Sequence, residues 1–224
     1  MIKKKKYSAL LLLRDKDPFC IKFLKFISFN CKSVNVIWTG NSKKKFLIKK
    51  KYDFIISYRA SIILKTKDIS MAKIAAINLH PGSPKYRGIG CLNYALYNKE
   101  KKFGFTIHLI SKKIDCGKIL FVRYFLINKN STVASLLQKT HAQCLKHSKV
   151  FFRNILSDAS KIDFYKNKFK KEKWSKVIKN KKELNKFYRI KDFNLREVNK
   201  KIRATNFINF KPFIQIGQNK FYLK

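Results

Sequence analysis

Short apolar runs and helical stripes alternate along the first two-thirds of the chain. Residues 7–13 (YSALLLL) form a continuous apolar run, the pattern of a strand buried on both faces. Residues 18–29 read as a helix, with Asp17 placed to cap it and Pro18 in its first turn. Residues 34–39 form a second strand that ends at Gly40, and residues 53–58 form a third. Between them, residues 43–51 are basic and fit neither period. A short helix over 66–72 precedes a fourth strand at 75–79. After a loop with Pro81, Gly82, Pro84 and Gly88, residues 90–98 place Leu92, Ala95 and Leu96 on one helical face. Strand-like runs follow at 103–110 and 118–127. Residues 132–156 then carry Val133, Leu136, Leu137, Cys144, Leu145 and Phe152 at the mixed i+3 and i+4 spacing of a long helix. This alternation predicts an α/β fold, a sheet with helices on both faces. Ligand sites in such folds lie at the carboxyl ends of the central strands. The chain has no G-x-G-x-x-G motif, so a dinucleotide cofactor is not indicated.

The texture changes after about residue 160. Residues 161–186 are Lys-rich and nearly free of apolar periodicity, which reads as a solvated connection or a frayed helix. Residues 194–204, with Leu195, Val198 and Ile202, form a short amphipathic helix. Residues 213–216 and 220–223, joined across Gly217-Gln218-Asn219, read as a β-hairpin. The chain thus divides into a main domain over 1–160, a basic connection over 161–190 and a short helix and hairpin over 191–224. A length of 224 residues has room for one ordinary domain and a small appendage, and 46% hydrophobic content is enough for a core.

Candidate chemistry gathers where the fourth strand ends. Asn78 and His80 lie two apart on one face of that strand, just before the turn at Pro81-Gly82. Asp115, one of only 12 acidic residues, sits in the turn between the next two apolar strands. An amide donor, an imidazole that titrates near neutrality and a carboxylate suit attack of a nucleophile on a carbonyl. The same residues also fit a turn-capping Asn, a satisfied core His and a surface Asp, and spacing alone does not choose.

The ordered set N-x-H-P-G (78–82), P-x-Y-R-G (84–88), G-x-T-x-H (104–108) and I-D-x-G-x-I (114–119) resembles the catalytic domain of the 10-formyltetrahydrofolate-dependent formyltransferases. That family includes methionyl-tRNA formyltransferase, glycinamide ribonucleotide formyltransferase and the sugar N-formyltransferases. The resemblance covers roughly residues 50–157 well and the start of the chain loosely. It implies a Rossmann-like domain with a predominantly parallel sheet, and a short C-terminal helix and β-hairpin in place of the longer members' β-barrel. It implies that Asn78, His80 and Asp115 match the family's catalytic Asn, His and Asp. The cosubstrate would be 10-formyltetrahydrofolate, with no metal, and the folate would contact Ala60, Ser61, Ile62, Ile110, Lys113 and Ile114, largely through backbone. The loop with Gly82, Ser83, Lys85, Tyr86 and Arg87 would face the acceptor amine, with Lys85 and Arg87 able to meet a phosphate. This loop departs from the S-L-L-P-x-x-R-G pattern of the tRNA and purine enzymes. With the short C-terminus, that favours a nucleotide-linked amino sugar or a similar small phosphorylated amine as acceptor. The alternatives are methionyl-tRNA and, from another class, a non-catalytic nucleic-acid-binding role; hydrolysis of the formyl donor would use the same three residues. His108 reads as a satisfied core His beside the pocket, and His141 and His147 as structural or exposed positions.

The remaining features bound the setting. The formal net charge is +41, from 53 basic residues of which only eight are Arg. A weak, salt-sensitive attraction to polyanions follows from that charge whether it was selected or reflects an A/T-rich coding bias. The five cysteines (Cys20, Cys31, Cys91, Cys116, Cys144) form no C-x-x-C pair, so free thiols in a reducing, cytoplasmic setting are expected, with Cys116 alone near the chemistry. The basic start at Lys3 to Lys6 leads into too short an apolar stretch for a signal peptide, and no run approaches the ~20 apolar residues of a membrane helix. The hairpin could pair across a homodimer, and nothing in the sequence demands it.

Overall fold

The computed structural model describes residues 5–40, 46–208 and 210–223. Lys43, Lys44 and Lys45, from the stretch that fitted neither period, lie outside the described residues. In chain order the elements are β1 (Ser8–Arg14), α1 (Pro18–Asn30), β2 (Ser33–Thr39), β3 (Tyr52–Tyr58), α2 (Thr66–Ile69), β4 (Ala72–His80), β5 (Arg87–Gly88) and α3 (Cys91–Tyr97). Then come β6 (Lys102–Leu109), β7 (Ile119–Leu126), α4 (Val133–Ser157), α5 (Lys161–Lys168), β8 (Ile178–Lys179), α6 (Lys181–Phe187), α7 (Leu195–Thr205), β9 (Phe213–Ile216) and β10 (Asn219–Tyr222). The main sheet has the order β2-β1-β3-β4-β6-β7. Its first four strands are parallel, and β6 and β7 add antiparallel beyond β4.

Local chemistry accounts for the element ends. The Asp17 carboxylate accepts from the backbone N–H groups of Phe19 and Cys20, both at 3.0 Å, and Pro18 fills the first helical position, where no donor is needed. Thr132 caps α4 by accepting from Ser135 N–H at 3.2 Å, and Asn194 caps α7 by accepting from Arg196 N–H at 2.9 Å. β1 is buried along Ala9 to Leu13, as its unbroken apolar run requires of a central parallel strand.

The two sheet faces are covered differently. Leu11, Leu13, Phe54, Ile56, Ile77 and Leu79 pack under α1, α4 and α5 through Phe23, Ile27, Phe151, Phe152, Ile155 and Tyr165. On the opposite face, Leu10, Leu12, Ile55 and Ala76 meet Ile48, Ile62, Leu64, Ile69 and Met71. Among the described residues that second face is covered by the four-residue α2 and extended segments, where the alternation predicted helices on both sides. The reason is compositional: residues 46–51 offer only Phe46, Leu47 and Ile48 before a run of lysines, too few for a helical stripe.

The Lys-rich stretch after residue 160, read as a solvated connection or a frayed helix, forms α5, β8 and α6, mostly exposed and anchored at a few points. Ile162 and Tyr165 of α5 are buried in the main core, and Asn154 Nδ2 donates to the Tyr165 hydroxyl at 2.8 Å. Further on, β8 pairs in parallel with β5, and Ile89 N–H donates to the Lys179 carbonyl at 2.8 Å. These anchors are scattered single residues and long-range backbone bonds, which leave no periodic trace. α7 packs against α3 through buried Ala204, and Asn93 Nδ2 donates to the Ala204 carbonyl at 2.8 Å.

His141 is a structural group: its Nδ1 lies 3.2 Å from the Tyr58 hydroxyl, and only 2% of it is exposed. Burial, with Arg59 nearby, pushes its pKa down to about 3. The native state therefore keeps His141 neutral while the unfolded chain binds a proton below ~6.5. The stability it confers is full above that value and lost as pH falls, with a slope of up to ~1.4 kcal/mol per pH unit. Denaturant midpoints measured between pH 7 and pH 4 are expected to fall in wild type and to flatten in His141→Gln.

Candidate active site

β4 and β6 pair antiparallel at the carboxyl end of β4, setting Asn78 opposite His108 and His80 opposite Thr106. The β6–β7 loop then brings Asp115 back to the same place. Asp115 meets His80 directly, and Asn78 joins the pair through His108. Asp115 Oδ2 lies 3.3 Å from His80 Nδ1, and Asp115 Oδ1 lies 3.6 Å from His108 Nε2. Asn78 Nδ2 is 3.1 Å from His108 Nε2. His80, His108 and Asp115 are all buried.

The other bonds of this set fix its protons. His80 Nε2 is 2.8 Å from the Tyr86 carbonyl, an acceptor only, so that nitrogen carries hydrogen and turns Nδ1 toward Asp115. Burial opposes a charge on His80, but Cys91, Asp115 and the Tyr86 carbonyl more than offset it and raise its pKa above the ordinary value. Burial likewise opposes the charge on Asp115. The neighbouring His108 imidazole, the His80 charge and the Gly88 N–H outweigh it and bring its pKa down to about 2. Gly88 N–H donates to Asp115 Oδ2 at 2.9 Å. Asp115 holds φ +44°, a left-handed conformation that Asp tolerates better than most residues. Such strain gathers at functional sites.

Two glycines permit this approach. A Cβ on Gly82 would lie 2.5 Å from His80 Nε2, and one on Gly117 would lie 1.7 Å from the Leu109 carbonyl oxygen. Any larger residue at either place would push the turn away from the imidazoles.

A cavity of about 190 Å³ opens beside this set. Asn78, His108 and Asp115 line one side; Ala60, Ile62, Ile63, Leu64, Ile110, Lys113 and Ile114 supply most of the rest. Five of the six residues expected to hold a folate thus line one cavity. The sixth, Ser61, turns its hydroxyl to the Gly40 carbonyl at 3.0 Å instead. Apolar walls with polar groups at one end suit a flat heteroaromatic ring and the reacting group attached to it.

The loop expected to face an acceptor is tied down internally. Ser83 and Tyr86 are buried, the Tyr86 hydroxyl donates to Glu100 at 2.8 Å, and Lys85 is paired with Glu100. Arg87 spends its guanidinium on three carbonyls, of Asp115 (2.7 Å), Ser175 (2.8 Å) and Ile114 (3.1 Å), where a phosphate contact had been expected. Its role here is to hold the Asp115 turn.

Three further residues belong to the site. His108, expected to be a core residue, touches both Asn78 and Asp115. Cys91 Sγ lies 3.7 Å from His80 Nε2, whereas Cys116, expected to be the one thiol near the chemistry, is exposed. Trp174 packs edge-on to both imidazoles. Only His108 had a signal in the sequence, through its place in G-x-T-x-H. Among the described residues no cluster of three His, Cys, Asp or Glu side chains could hold a metal ion, and no helix is long and apolar enough to cross a membrane.

A sequence model for formyl transferases matches residues 41–153. A methionyl-tRNA formyltransferase of Lactiplantibacillus plantarum is 35% identical over 103 residues, covering 45% of this chain and 32% of that protein. The curated relatives are longer, with matched segments spanning 14% and 32% of two of them. Among solved structures, a 4-N formyltransferase from Francisella tularensis superposes with a TM-score of 0.72 at 19% identity, over 97% of this chain and 96% of that one. An N-formyltransferase from Helicobacter canadensis, in complex with folinic acid and dTDP-3-aminofucose, gives 0.65 at 21% identity, over 98% and 86%. At these identities the superpositions establish the shared fold.

Proposed function

We propose, since this chain belongs to the formyl transferase family, that it moves a formyl group from 10-formyltetrahydrofolate to the primary amine of a nucleotide-linked amino sugar or a similar small phosphorylated amine. The observation that carries the reading is the junction of cavity and catalytic set, where Asn78, His108 and Asp115 line the same 190 Å³ space as the residues suited to a folate ring. The likeness over nearly the whole chain to a structure holding folinic acid and a nucleotide-linked amino sugar supports this choice of acceptor.

The chemistry follows from the groups present. An amine must be neutral to attack the formyl carbon. The Asp115 carboxylate, with a pKa near 2, stays ionised and can hold an amine N–H, while His80, whose pKa is raised, is the better proton acceptor of the pair. As the amine adds, negative charge grows on the formyl oxygen, and the Asn78 amide is a preorganised donor toward it. Collapse breaks the bond from carbon to N10 of the folate, and the proton held on the His–Asp pair goes to that nitrogen. Buried imidazoles and carboxylate keep these charges in a low dielectric, where they act most strongly.

A second reading keeps the chemistry and changes the acceptor to methionyl-tRNA. It is favoured by a cleft of about 610 Å³ lined by Lys181, Lys182, Lys186, Arg189, Lys191 and Lys220. Such a cationic groove suits a phosphate backbone. The test is to offer carbon-labelled donor with a mixed pool of amine-bearing nucleotide metabolites and charged tRNA, and to locate the label by mass spectrometry. Label on a nucleotide-linked amino sugar is expected. Label confined to tRNA, with a steep loss of rate as salt rises, would replace it with the second reading.

A further inference from the structure

Resting on the formyl-transfer reading, we infer that Trp174 is a positioning residue that packs over the catalytic imidazoles, outside the folate cavity's lining, and limits access of water to the reacting set. The observation is the place of its indole. It packs edge-on against two catalytic-site rings at once, at 5.8 Å and 70° to His80 and at 5.0 Å and 86° to His108. Its Nε1–H donates to the Gly117 carbonyl at 2.7 Å, two residues beyond Asp115. The indole is not among the residues that line the 190 Å³ cavity, so it meets the imidazoles outside that lining.

The strand of chain that carries Trp174 is a strap fixed at both ends. Before it, Tyr124 donates to Glu172 at 3.0 Å. After it, Ser175 N–H donates to the Pro84 carbonyl at 2.9 Å, and the Ser175 carbonyl accepts from Arg87 at 2.8 Å. β8 then pairs with β5. These bonds join the strap to the loop that supplies the Tyr86 carbonyl for His80 and the Gly88 N–H for Asp115. One aromatic plate therefore limits how both imidazoles can tilt, while the strap holds the turn between them.

The chemical consequence concerns a choice between two nucleophiles. In hydrolysis, a water oxygen bonds to the formyl carbon, the bond to N10 breaks, N10 takes one of the water protons, and tetrahydrofolate, formate and the second proton leave. In transfer, the amine nitrogen takes the place of the water oxygen. The His–Asp set serves either nucleophile, so what decides the outcome is which one reaches the carbon. A half-buried apolar plate over the set disfavours water and leaves the acceptor to complete the enclosure.

The experiment compares wild type, Trp174→Ala and Trp174→Phe with labelled donor and acceptor, measuring formyl-amide and free formate together. Trp174→Ala is expected to raise the formate share of the product about tenfold, whereas Trp174→Phe, which keeps the plate, stays near wild type. Circular dichroism and thermal melts check that each variant is folded. A second readout needs no turnover: loss of the indole ring current is expected to move the imidazole proton resonances of both His80 and His108. An unchanged formate share with normal donor use, or unmoved histidine resonances, overturns the role of Trp174 alone. A wild-type protein that leaves the donor untouched overturns the transfer reading and this role with it.

Discussion

Asp115→Asn is expected to lose about a thousandfold in turnover while keeping its fold. Asparagine matches aspartate in volume, still offers an oxygen to Gly88 N–H, and tolerates the left-handed backbone that Asp115 holds at φ +44°. What it removes is the charge that faces His80 at 3.3 Å and His108 at 3.6 Å. Cys91, Asp115 and the Tyr86 carbonyl raise the His80 pKa against the effect of burial, so loss of the carboxylate lowers it. His80 must be unprotonated to accept a proton from the amine. The wild-type rate should therefore rise with pH through an inflection above the ordinary histidine value, and the residual rate of Asp115→Asn through a lower one. Steady-state rates across pH, with thermal melts beside them, check both parts. A near-wild-type rate in Asp115→Asn would remove Asp115 from the chemistry.

Asn78→Ala is the second large effect. The Asn78 amide is half-buried, lines the cavity and is oriented by His108 Nε2 at 3.1 Å; in the proposed reaction it is the donor to the formyl oxygen. Removing one oxyanion donor typically costs ~3 kcal/mol of barrier, or ~100-fold in turnover. The apolar walls of the cavity remain in this variant, so donor binding should change little. A split between kcat and KM is thus the diagnostic: kcat falls and KM for the donor holds. If both held, the amide would be a turn-capping group and nothing more.

Much of this architecture is legible in the residues because its signals are local. The runs at Leu10 to Leu13 and at Phe54 to Ile56 announce buried strands, and Asp17, Thr132 and Asn194 announce helix starts. Asn78, His80 and Asp115 stand out only through the ordered motifs N-x-H-P-G and I-D-x-G-x-I, since spacing alone fits a capping Asn, a core His and a surface Asp equally. The Trp174 strap is illegible for the opposite reason. Its order comes from a bond between residues 57 apart and from backbone pairing, and lysines on either side of it mask the pattern. Arg87 could not be told from a phosphate ligand, because its three carbonyl partners are fixed only by the folded turn. Cys91 was hidden in the same way on an apolar helix, and His108, although marked by G-x-T-x-H, sits on an apolar strand where a core role was the simpler reading.

The fate of one carbon atom tests the central claim most directly. The purified protein would be given 10-formyltetrahydrofolate labelled with carbon-13 in the formyl group, together with an amine-bearing nucleotide sugar, and the label followed by NMR. Formyl transfer through Asp115 requires that the formyl resonance on the folate disappear and an amide resonance on the sugar replace it, with the Asp115→Asn protein leaving the folate signal in place over the same time. A folate signal that persists with the wild-type protein, or one that converts equally fast with Asp115→Asn, would contradict it.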